Sequence, residues 1–266
     1  MGTFPAALIV RLIGGPTALI ELGGLRLLTD PTFDPPGDHP IGRRNLVKTT
    51  GPAIPAEEVG RVDAVLLSHD QHPDNLDDAG RRFLDQVPLV LSTAAAEARL
   101  GGTTRDLPPW TGLTLPRPDG GELRITGVPA QHGPAGSEYL TGEVRGFVLS
   151  GEGLPRVYVS GDNASLAVVS DVADHAGPID VAILFAGHAR SPLMDAYLTL
   201  GGEQAVRAAE ILAAPTVIPI HVEGWRHLTE GMDAVVDAFA RRGLTDRLLI
   251  LHPGDTATVE SRTPLI

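Results

Sequence analysis

The chain has 266 residues, with 33 acidic and 21 basic side chains giving a formal net charge of −12, and it has no cysteine. Without a basic run, that charge makes a surface that repels phosphate backbones and anionic lipid, so neither nucleic acid nor a membrane is expected as a partner. The missing thiols exclude disulfides, thiolate zinc sites and cysteine nucleophiles together, so any metal must be held by imidazole and carboxylate.

The opening MGTFPAALIVRLIGG has no charged leader and carries Arg11 inside its apolar run, so it reads as a first strand rather than a signal peptide. Ala6 stands where a myristoylation signal needs Ser or Thr. The reading favours the cytoplasm. TALIELG and LRLLTD continue as β-type runs. Residues 31–56 are rich in Pro and Gly without a period and read as one long loop, of the kind that is often functional. DAVLLS and LVLS are short strands, the first followed by the helical pattern DDAGRRFLDQ and the second by TAAAEARL. ELRITGV, GFVLSG, RVYVSG, DVAILFAG and TVIPIH are further strands. NASLAVVSDVADHAG, GGEQAVRAAEILAA and GMDAVVDAFARRG are further helices. Such alternation indicates a layered α/β protein, and no linker divides it, so residues 1–266 read as one domain.

The chemistry concentrates at strand ends. DAVLLS empties into residues 68–78, SHDQHPDNLDD, where two histidines and four aspartates share one short loop. Burying so many polar groups costs free energy unless each finds a partner or an ion. Three other strands end alike: ITGVPAQHG in His132, VYVSGDN in Asp162, TVIPIHVEG in His221. Singly, each has an ordinary explanation, such as a core histidine or a helix N-cap. Together they have the form of a site assembled at one edge of a sheet. Asp77 and Asp78 suit the positive end of the following helix. His188 and Arg190 could face a substrate; Glu223, Trp225 and His227 could line the rim. His39, His175 and His252 have no partner pattern and read as structural or exposed.

These segments resemble the metallo-β-lactamase superfamily over nearly the whole chain, and within it the branch of ascorbate-phosphate lactonase-like hydrolases. GGPTALIELGGLRLLTDPTF resembles that branch's opening hairpin, closing on Thr29, Asp30 and Pro31. AVLLSHDQHPDNLD resembles its signature loop, VPAQHG its next histidine, VYVSGD its bridging aspartate and VIPIHVEGW its last histidine. The resemblance implies a four-layer αββα sandwich and a hydrolase of a small-molecule ester, lactone, amide or phosphoester. It also implies one or two zinc ions, with manganese or iron as alternatives, and is compatible with a homo-oligomer. The rivals are a phosphodiesterase of nucleotides or phospholipid head groups, and a noncatalytic binder. The implied ligands are His69, His72 and His132 on one ion, Asp74 and His221 on the other, and Asp162 between them, with Asp74 and Asp162 as the catalytic carboxylates. The loop departs from the family's His-x-His-x-Asp-His. Anchored on its strand, it puts His69 first and carries one inserted residue; read without a gap, it puts Asp70 first and His69 behind it. The strand anchor is preferred. In either register His72 is the second histidine, and Asn75 stands where the family has an imidazole.

Overall fold

The computed structural model describes residues 7–118, 120–192 and 194–260. The start of the chain before residue 7, with Ala6, lies outside them. The first strands are β1 (Leu8–Gly14), β2 (Thr17–Leu22) and β3 (Leu25–Thr29), paired antiparallel. Next come β4 (Gly37–Ile41) and β5 (Arg44–Lys48), then β6 (Ala64–Leu66), α1 (Asp78–Leu84), β7 (Val90–Ser92), α2 (Ala94–Leu100) and β8 (Thr104–Asp106). β9 (Gly112–Pro116), β10 (Glu122–Ala130), the single turn α3 (Glu138–Thr141), β11 (Val144–Ser150) and β12 (Val157–Val159) follow. The chain ends with α4 (Leu166–Ala176), β13 (Val181–Phe185), α5 (Gly202–Ile211), β14 (Thr216–Ile220), α6 (Met232–Arg241) and β15 (Thr256–Val259).

One sheet has the order β15-β1-β2-β3-β6-β7-β8 and the other β14-β13-β12-β11-β10-β9. Alternation along the strands explains how they stack. Leu27 and Ile183 belong to the core between the sheets, whereas their neighbours Leu28, Ala182 and Leu184 belong to the outer cores. The outer core beside Leu28 contains Phe83 and Leu84 of α1, and the one beside Leu184 contains Val169, Val206 and Phe239 of α4, α5 and α6. β13, VAILF, is buried at every position because helices cover one face and a sheet the other. The result is the expected αββα sandwich.

The long-loop reading of residues 31–56 is corrected. β4 and β5 form an antiparallel hairpin there, with Gly42 in the turn at φ 59°, and Ala56–Glu58 is a 3-10 turn. Pro and Gly masked the pairing, since Pro40 interrupts any apolar alternation. The short or polar strands β8, β9 and β15 also escape the sequence reading, because they have few apolar residues. Among the described residues, no helix is long and apolar enough to cross a membrane.

Candidate metal centre

β6, β10, β12 and β14 end at one edge of the sandwich and deliver the predicted residues there. Close approach of these strand ends depends on glycine. A Cβ on Gly161, at φ 57°, would lie 2.6 Å from the Arg145 carbonyl oxygen and 3.0 Å from Ser68 Cβ. His221 directly follows β14 in the left-handed region at φ 53°, unusual for a residue with a Cβ, with its N–H donating to the Gly15 carbonyl at 2.8 Å.

Two compact groups result. His69, His72, His132 and Asp162 bring one nitrogen or oxygen each within 4.8 Å of one another, and so do Asp74, Asp162 and His221. Asp162 belongs to both. His72 Nδ1 lies 2.8 Å from His69 Nε2 and 3.2 Å from His132 Nε2. His221 Nδ1 is 3.2 Å from Asp162 Oδ1 and its Nε2 is 3.4 Å from Asp74 Oδ2. Of the two readings of the loop, the structure brings His69 rather than Asp70 to the other histidines. The Asp70 carboxylate is turned away and held by two N–H groups of Arg99, at 2.8 and 2.5 Å.

Supporting contacts fix the tautomers. His132 Nδ1 lies 2.8 Å from the Leu198 carbonyl, which can only accept, so Nδ1 carries the proton and Nε2 presents its lone pair to the group. His69 Nδ1 lies 3.0 Å from Ser68 Oγ, which donates at 2.6 Å to Asp30 Oδ2. That hydroxyl must accept from His69, and His69 Nε2 also presents a lone pair. Burial, followed by the neighbouring His72, pushes His69 well below the usual imidazole range. Burial and His132 lower His72 to about 4. These neutral imidazoles with converging lone pairs suit a cation. Asp74 Oδ1, Asp162 Oδ2 and His221 Nε2 are buried with no hydrogen-bond partner, as expected of atoms that bind an ion. Although burial opposes it, His227 and His221 hold Asp74 well below the carboxylate range, and His132 and His221 do the same for Asp162. Burial would also lower His221, but Asp162 and then Asp74 raise it to about 10. A proton shared among two carboxylates and an imidazole is what a divalent cation displaces on binding.

Several supports were not read from the sequence. Asn75, 0% exposed, is in neither group; its Nδ2 donates to Asp30 Oδ2 at 3.1 Å. Asp30 also accepts from the Ser68 N–H at 2.6 Å, and burial raises it to about 7. His227, read only as a rim residue, places Nε2 2.9 Å from Asp74 Oδ2. Asp77 caps α1 by accepting from the Gly80 N–H at 2.8 Å, and it also pairs with buried Lys48 at 2.9 Å. The Thr-Asp-Pro turn was the available signal for Asp30. Nothing in the sequence pattern signals Lys48, which lies in the segment read as a loop.

A cavity of 240 Å³ opens onto His72, Asp74 and His132. The β4–β5 hairpin supplies part of its wall through Ile41, Arg44, Leu46 and Val47; Arg190, Arg226 and His227 line it too. Glu223 and Trp225 do not: Trp225 is buried under Lys48 and near His39. His188 also faces away from the cavity. It pairs with Glu230 at 2.7 Å and stacks on Tyr197, with ring centroids 3.4 Å apart. His175 and His252 are exposed.

Two sheets face to face between helices, with histidines and aspartates gathered at their common edge, define the metallo-β-lactamase fold. The chain belongs to that superfamily: the family described as "Beta-lactamase superfamily domain" matches residues 25–222. It is similar to a UPF0173 metal-dependent hydrolase of Pyrococcus furiosus, 27% identical over 73% of this chain and 80% of the relative. Another, from Natranaerobius thermophilus, is 28% identical over 93% of this chain and 97% of its own length. Among solved structures, an isothiocyanate hydrolase from Delia radicum gut bacteria superimposes with a TM-score of 0.79 at 22% identity, covering 95% of this chain and all of its own. The metallo hydrolase Igni18 from Ignicoccus hospitalis does so with a TM-score of 0.70 at 20% identity, covering 96% and 100%. At such identities the structures share the fold alone. The chain is a metal-dependent hydrolase of this superfamily.

Proposed function

We propose that the chain hydrolyses a small-molecule ester, lactone, amide or phosphoester in the cavity above the two ligand groups, with zinc as the resident ion. The observation that carries this reading is Asp162, a buried carboxylate within ligand distance of both groups. Imidazole and carboxylate donors suit zinc. When bound, such ions supply Lewis-acid polarisation and lower the pKa of a bound water to about 7.

The chain's own residues do the rest. His69, His72 and His132 would hold one ion, and Asp74 with His221 the other. The Leu198 carbonyl and the Ser68–Asp30 pair keep the lone pairs of His132 and His69 aimed inward. Asp74 lines the cavity directly, so its carboxylate is the group positioned to orient a water toward the substrate. The cavity volume of 240 Å³ suits one compact substrate.

The experiment is turnover of a panel of chromogenic esters, lactones, amides and phosphodiesters, with an isothiocyanate included, before and after chelation and after return of metal. Activity that disappears with chelator, returns with zinc and is lost in Asp162→Asn supports the reading. Turnover that survives exhaustive chelation, or silence of the zinc-loaded protein across the panel, refutes it. Preference for nucleotide phosphodiesters over every ester and lactone would move the substrate to the phosphodiesterase class.

A further inference from the structure

Arginines line the active-site cavity of a chain that carries a net charge of −12. Arg44, Arg190 and Arg226 all contribute to its wall, and its one carboxylate among the described residues is Asp74. Arg190 is engaged by Asp195 at 2.5 Å, but Asp195 is 92% exposed, so the pair is weak and easily exchanged. Arg44 and Arg226 have no acidic partner among the described residues. They issue from adjoining backbone, since the Arg226 N–H donates to the Val47 carbonyl at 3.0 Å, three residues along β5 from Arg44. Much of the remaining lining is apolar, including Leu46, Leu140, Met194 and Leu198.

Resting on the hydrolase reading above, we infer that the substrate carries an oxyanion, a carboxylate or a phosphate, on an apolar body, and that Arg44 and Arg226 receive that oxyanion while the scissile group lies against His72, His132 and Asp74. The guanidinium fork fits either oxyanion with paired N–H donors. An acidic protein repels anions at long range, so an anionic substrate needs local cations inside the cavity to be held. A neutral apolar substrate would leave half-buried Arg44 and exposed Arg226 without a counterion and gain nothing from them.

Matched 4-nitrophenyl esters test this: the glutarate monoester, its methyl-capped neutral counterpart, and a chain-matched ester ending in phosphate. The glutarate or phosphate probe should exceed the neutral one about tenfold in kcat/KM, and the ratio should fall toward one in an Arg44→Gln/Arg226→Gln double variant. The better of the two anionic probes identifies the oxyanion. Equal rates for charged and neutral probes, or a ratio the double variant preserves, overturn the inference. Calorimetric titration with hexanoate, hexyl phosphate and hexanol gives a readout independent of turnover. The anions should bind the native protein more tightly than the alcohol, and about tenfold less tightly after the double substitution. Anion binding that the double variant keeps would assign the oxyanion to the histidine–aspartate centre and overturn the inference. If no ester is turned over but the calorimetric contrast holds, the arginine site stands, and the lactone, amide and phosphodiester arms of the panel decide the hydrolase reading separately.

Discussion

His227→Ala would remove the imidazole whose Nε2 lies 2.9 Å from Asp74 Oδ2. Asp74 is only 3% exposed, and His227 with His221 keeps it ionised against the opposing effect of burial. A hydrogen bond to a charged group contributes about 1.5–3 kcal/mol, and loss of a support behind a metal ligand costs about 10–100-fold in affinity. The loss should fall on one ion. The Asp74–Asp162–His221 group contains the affected carboxylate, whereas the group of His69, His72 and His132 shares only Asp162 with it. Asn75 is a poor replacement: its amide nitrogen donates to Asp30, and its buried Oδ1 is a neutral oxygen that holds a cation more weakly than an imidazole. The variant should therefore release its second ion at a chelator concentration about 10–100-fold lower than the native protein does, and keep the first unchanged. Elemental analysis across a chelator titration reads both. His227→Gln, with an amide donor that can reach the same oxygen, should recover much of the loss. Asn75→His in the alanine background should do so by restoring an imidazole to the loop. Release curves of His227→Ala that overlay those of the native protein would refute the reasoning.

Two further outcomes are expected. His221 is raised to about 10 in the folded protein from an ordinary value of 6.5, so its contribution is complete below pH 6.5 and is lost as pH rises toward 10. The urea midpoint of chelated protein should fall across that window while that of zinc-loaded protein falls less; parallel profiles would contradict the assignment. Lys48→Met should destabilise the fold by about 3 kcal/mol, because it leaves Asp77 buried without its cation. Equal urea midpoints for variant and native chain would mean that the N–H groups of Phe33, Asp34 and Gly80, which donate to Asp77, suffice.

The sandwich was legible because its central strands β6, β12, β13 and β14 are apolar on both faces, and β6, β10, β12 and β14 lead into ligand-type residues. DAVLLS, RVYVSG and TVIPIH each declare a strand and a ligand within a few positions. The signature loop was legible in composition and ambiguous in register. Sequence alone does not show that Arg99, 29 residues away, removes Asp70 by binding both of its oxygens. The partnership of His227 with Asp74 spans 153 residues and was similarly invisible. The hairpin was missed for a different reason: its strands, GDHPI and RNLVK, bury little apolar surface, so neither alternation nor β propensity marks them. They are held by contacts with other segments.

Those contacts join the cavity wall to the ligand loops. Lys48, the last residue of the hairpin, pairs with Asp77 at the end of the signature loop, and Asp77 also accepts from the N–H groups of Phe33 at 2.9 Å and Asp34 at 2.8 Å, just before the hairpin begins. On the other side, the Thr49 N–H donates to the Gly224 carbonyl at 2.8 Å and the Arg226 N–H to the Val47 carbonyl at 3.0 Å, in the loop that follows His221. The hairpin thus bridges the ligand-bearing loops of both sheets, and its own residues are not ligands. Substitutions at Ile41, Arg44 or Leu46 can therefore reshape what enters the cavity while the histidines and aspartates beneath keep their geometry, whereas a change at Lys48 disturbs wall and centre together. The hairpin side of the cavity wall can thus vary apart from the ligands, whereas His227, which lines the cavity and holds Asp74, belongs to both.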